Sequence, residues 1–66
     1  MARTANPTQL KPGDWFIDRQ REGRRPAKVV KVVGTKAGEV MFELDDNTRY
    51  GAWVASYPVS EQLERA

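Results

Sequence analysis

A chain of 66 residues is enough for one domain with a small core. It has no cysteine and no histidine, which excludes a disulfide framework, a thiolate metal site and the commonest general base and zinc ligand. The formal charge is only +2, with 39% apolar and 30% charged residues, and no apolar run is long enough for a transmembrane helix.

Residues 1–9 are small and polar, contain Pro7 and show no periodicity, which predicts a flexible N-terminal arm ahead of a single domain over 10–66. No apolar segment of signal-peptide type occurs in residues 1–10, so a cytoplasmic location is expected. Pro12 and Gly13 supply turn chemistry, and Trp15, Phe16 and Ile17 then favour a first strand over 15–19. Residues 20–26 are charged, hold a glycine and a proline, and predict a mobile loop. Residues 27–33, with four valines, carry the strongest strand signal, and the stretch 34–38 between two glycines predicts a hairpin turn.

Residues 39–45 alternate cleanly, with Val40, Phe42 and Leu44 on one face and Glu39, Met41, Glu43 and Asp45 on the other. Asp46 and Asn47 predict a second tight turn. A fourth strand is expected over 48–54, with Tyr50, Ala52 and Val54 inward and Arg49 and Trp53 outward. Tyr57, Pro58 and Val59 suggest a last edge strand, and Ser60 a cap for one helical turn through Leu63. Five short strands with tight turns predict an all-β chain, a five-stranded SH3-like partly open barrel. Its expected core is Phe16 or a neighbour, Val29 or Val30, Val32, Val40, Phe42, Leu44, Tyr50, Ala52, Val54 and Val59.

Charge is unevenly laid out. Residues 19–36 hold seven cations against Glu22, whereas residues 37–66 hold six carboxylates against Arg49 and Arg65. This reads either as a basic patch for a polyanion or as complementary strands or subunits facing each other. The second strand is apolar on both faces, which implies a bulge that resets its phase or a second subunit covering it. Trp15 and Phe16 are adjacent, so one of them faces away from the core.

Arginine-rich loops beside outward aromatics suit phosphates and bases. The expected function is therefore a non-enzymatic nucleic-acid-binding or regulatory module, in a phage, plasmid or bacterial setting. Its expected contacts are Arg19, Arg21, Arg24, Arg25, Lys28, Lys31 and Trp53. A protein-binding module of Tudor or SH3 type would use Trp15, Tyr50 and Tyr57 instead. A homo-oligomer is expected, and no catalytic residue, cofactor or metal. Asp14 and Asp18, which flank the first strand on one face, and Glu39, Glu43 and Asp45 are expected as solvated charge.

Gly13-Asp14 opening the first strand, residues 54–59 (Val-Ala-Ser-Tyr-Pro-Val) and Leu63-Glu64-Arg65 resemble the framework of the plasmid-borne type II dihydrofolate reductases. Those SH3-like chains assemble as homotetramers around one pore, which is lined by a Gln-Ile-Tyr run. Val54, Tyr57, Pro58 and Val59 match that framework, whereas Ala55 and Ser56 stand at the glutamine and isoleucine positions. The resemblance implies the fold and self-association, with Tyr57 at a pore, and it argues against reductase activity. The Gly13-Asp14 start and the glycine-bounded hairpin also resemble KOW and Tudor modules, which bind nucleic acid or protein tails.

Overall fold

The computed structural model describes residues 3–20, 25–48 and 51–66. Its strands are β1 (Thr4–Ala5), β2 (Trp15–Asp18), β3 (Arg25–Lys36), β4 (Glu39–Asp45), β5 (Trp53–Pro58) and β6 (Leu63–Glu64), with a 3-10 turn at Pro7–Gln9. The chain is all-β. Strands β2-β3-β4-β5 form one antiparallel sheet in that order, curled into a half-barrel, and β1 pairs with β6 as a separate ribbon.

The register explains the core. Val40, Phe42 and Leu44 of β4 stand opposite Tyr57, Ala55 and Trp53 of β5. Residues directly opposite in an antiparallel pair share a face, so these six line the inside. Phe16 of β2 stands opposite Ala27 of β3, and Val29 opposite Leu44. Phe16, Ala27, Val29, Phe42 and Leu44 are completely buried. The Phe16 ring meets Tyr57 edge-on with centroids 5.7 Å apart and Phe42 at 6.0 Å.

The β4 bounds agree with the alternating pattern, and Phe16 rather than Trp15 faces the core. Three expectations are corrected. The fourth strand occupies 53–58 instead of 48–54 and runs on into Tyr57 and Pro58, so its phase is inverted: Val54 is outside at 57% exposure, and Ala52 is exposed. Gly51, at φ 75, breaks the extended chain just before the strand, and register with β4 then turns Trp53, Ala55 and Tyr57 inward. Val32, expected in the core, is 38% exposed although it stands opposite Phe42, because it lies beyond residues 25–28, the part of β3 that β2 flanks.

The third correction concerns the ends of the chain. Residues 4–9 of the expected flexible arm (1–9) pack: Ala5 pairs with Leu63, and Ala5 and Pro7 are buried next to Leu10. Asn6 caps the 3-10 turn, accepting from the backbone N–H of Thr8, and its own N–H donates to the Gln9 side chain. Residues 63–64 form β6 rather than a helical turn, and Phe16 bridges to Arg65, which links this ribbon to β2. Tyr50 lies outside the described residues.

The β3–β4 turn is tighter than the 34–38 stretch predicts, since β3 continues through Lys36 and only Ala37 and Gly38 make the corner. Both have positive φ, 54° and 77°, as a mirror-image two-residue hairpin turn requires. Alanine is strained there, whereas asparagine tolerates the left-handed region. Ala37→Asn is expected to raise stability by about 1 kcal/mol, measured as a higher urea midpoint with unchanged slope.

Candidate functional site

The least expected residue is Asp18, whose side chain is completely buried. It sits two positions after Phe16 on the same strand, and a strand's period of two sends both side chains inward. A buried carboxylate is tolerated only when hydrogen bonds replace its water. Here the Tyr57 hydroxyl donates to Oδ1, the Trp53 indole Nε1–H donates to Oδ2 at 3.0 Å, and the Gln20 backbone N–H donates to Oδ1 at 3.1 Å. No buried side-chain nitrogen or oxygen among the described residues is left without a partner.

This cluster spans the gap in the half-barrel. Strands β2 and β5 are the two edges of the four-stranded sheet, and no backbone ladder joins them among the described residues. Side chains make the junction instead. Asp18 takes its two side-chain donors from β5, and the Gln20 side-chain amide donates to the Ser56 carbonyl at 2.5 Å. Arg19 adds an ion pair with Glu61 just beyond β5, worth little by itself because both groups are partly exposed.

The residues expected to bind partners separate into two groups. Trp53, expected outward, lies half-buried against the core with its indole on Asp18, and the Tyr57 ring is buried with its hydroxyl on the same carboxylate. Tyr57 is therefore a core residue of this chain rather than a pore-facing one. Arg19 is engaged by Glu61. Trp15 is half-buried on the outer face, level with Lys28, and Arg25 is exposed at the start of β3. Lys28 stands level with Asp45 and Lys31 with Glu43. Arg21, Arg24 and Tyr50 lie outside the described residues.

The opposite charges of the two halves thus meet first within the sheet, as complementary neighbouring strands. No group of three or more acidic residues able to hold a metal ion occurs among the described residues. None of their helices is long and apolar enough to cross a membrane. Compared with protein-family models, curated proteins and solved structures, the chain has no significant match.

Burial first, then the hydrogen bond to Asp18 and its negative charge, push the Tyr57 phenol well above the ordinary tyrosine value, against a smaller opposing effect of the Gln20 and Arg19 backbone. The folded state therefore holds the neutral phenol more tightly than the unfolded state does. This contribution is complete below about pH 10, where an unfolded tyrosine begins to ionise, and is lost as the pH climbs from there toward the folded-state value. Urea midpoints measured from about pH 9 to about pH 11 should fall more steeply in the parent chain than in Tyr57→Phe. Tyr57→Phe should itself cost about 1.5–3 kcal/mol at neutral pH, since a buried carboxylate loses a donor.

Proposed function

We propose that this chain is a small SH3-like barrel that serves as a nucleic-acid-binding module, without chemistry of its own, in the cytoplasm. The observation that carries this reading is the exposed cationic start of β3, with an outer-face tryptophan a few residues along the same β2–β3 pair. Arg25 is exposed at the start of β3, and Trp15 stands level with Lys28 on the outer face; Arg21 and Arg24, which precede β3 in sequence, lie outside the described residues. Guanidinium forks fit phosphate oxygens, and a partly exposed indole offers a face on which a base can stack.

Other members of the expected contact set are weaker candidates. Arg19 is held by Glu61, Lys31 is level with Glu43, and Trp53 donates its indole N–H to Asp18. The SH3-like description is supported by a 12-residue β3 that bends through two register shifts, by the tight β3–β4 hairpin, and by a terminal ribbon bridged to β2. Tyr57, buried and bonded to Asp18, gives the reductase likeness no site.

Titration with single- and double-stranded oligonucleotides at several salt concentrations tests the reading. Each phosphate contact contributes about −0.9 to the log–log salt slope on duplex and about −0.7 on single strands. Changing Arg21, Arg24 and Arg25 together to glutamine should therefore flatten the duplex slope by about 2–3. Trp15→Ala should weaken single-strand binding by about 1–3 kcal/mol if the ring stacks on a base. No binding at low salt, or binding indifferent to salt, would redirect the proposal to a protein partner.

A further inference from the structure

The outer face of the β3–β4 hairpin has a pattern that nucleic-acid binding does not use. Glu39, Met41 and Glu43 point outward, because Val40, Phe42 and Leu44 between them are buried. Opposite them on β3 stand Lys36, Gly34 and Lys31. Strict alternation would put Lys28 and Lys31 on opposite faces, and likewise Lys31 and Gly34. The register shifts between Val29 and Lys31 and between Val32 and Gly34 remove that conflict and align all of these positions with outward β4 residues. The result is a column of Lys31, Gly34 and Lys36 beside a column of Glu43, Met41 and Glu39.

Adjacent columns of opposite charge and opposite bulk, matched level by level, are self-complementary. A two-fold axis parallel to the strands and running between β3 and β4 lays β3 of one copy over β4 of the other while keeping every level. Lys31 then meets Glu43 of the second copy, and Lys36 meets Glu39. Met41 comes over Gly34, where even a Cβ atom would find no heavy atom within 4 Å. Stacked sheets lie about 10 Å apart, within reach of facing lysine and glutamate side chains.

The surface supports such a contact. Val33, Gly34, Thr35, Lys36, Glu39 and Met41 help to line a groove of about 400 Å³ on this hairpin. Val30, Val33 and Val54 are exposed at 40%, 47% and 57%. Val54 on β5 is level with Glu43 and shares its outward face, so the same axis brings it beside β3 of the other copy, on the side away from β4.

We propose that this chain self-associates as a symmetric dimer through the outer face of the β3–β4 hairpin, with Met41 of each copy seated over Gly34 of the other and flanked by Lys31–Glu43 and Lys36–Glu39 pairs between copies. The axis makes the contact isologous and closed, so assembly stops at two. Trp15, Arg25 and Lys28 all lie toward the end of β3 remote from the turn, and the dimer stands or falls independently of nucleic-acid binding.

Charge reversal in separate chains distinguishes contacts between copies from those within the sheet. Lys31→Glu leaves both columns acidic at that level, and Glu43→Lys leaves both basic. Each variant alone should sediment as the 7.5 kDa monomer, whereas the parent reaches twice that mass at high concentration and low salt. An equimolar mixture of the two should recover the dimer, because every level is complementary again between copies while the repulsion inside each sheet is unchanged. Gly34→Leu, at a site with ordinary φ and open space, should keep the parent circular dichroism and weaken the dimer about tenfold or more by filling the seat for Met41. A parent chain that stays monomeric at high concentration, a mixture that stays monomeric, or an unaltered Gly34→Leu dimer would each overturn the proposal.

Discussion

A single buried carboxylate closes this fold. Curling a four-stranded sheet brings its edges, β2 and β5, toward each other without a backbone ladder between them among the described residues. Asp18 on one edge takes hydrogen bonds from Tyr57 and Trp53 on the other. Burying a charge is costly unless it is fully bonded, and the two ring donors plus the Gln20 N–H meet that requirement. The same bonds determine what the aromatic residues can do. They hold Trp53 and Tyr57 to the inside, and they leave Trp15 as the described tryptophan on the outer face.

The alternation of β4 was legible because one strand face is wholly apolar and the other nearly wholly charged, a contrast that needs no tertiary information. The phase of β5 was not. Tyr50-Ala52-Val54 and Trp53-Ala55-Tyr57 both alternate, and only the register with β4 decides between them. Asp18 was hidden by the rule that carboxylates are solvated, although its two-residue spacing from Phe16 carried the signal. Packing at the chain ends was likewise out of reach, since a two-residue pairing such as Ala5 with Leu63 leaves no periodic trace.

The charge layout of the sequence acquires a different meaning in three dimensions. Cations and carboxylates that are segregated along the chain become neighbours across the β3–β4 hairpin, and the bulges in β3 bring them level. That register sets Lys31 level with a carboxylate, whereas Arg25 at the start of β3 is exposed. It also leaves the hairpin face balanced in charge and partly apolar, which suits a second copy better than a phosphate backbone.

The most direct test of closure through Asp18 is exchange at the two indole N–H groups, which give separate signals in a nitrogen–proton correlation spectrum. The Trp53 indole proton should exchange with solvent far more slowly than that of Trp15, and Asp18→Ala should abolish this protection while moving the Trp15 signal little. Equal exchange rates at the two indoles in the parent chain, or Trp53 protection that survives Asp18→Ala, would contradict it.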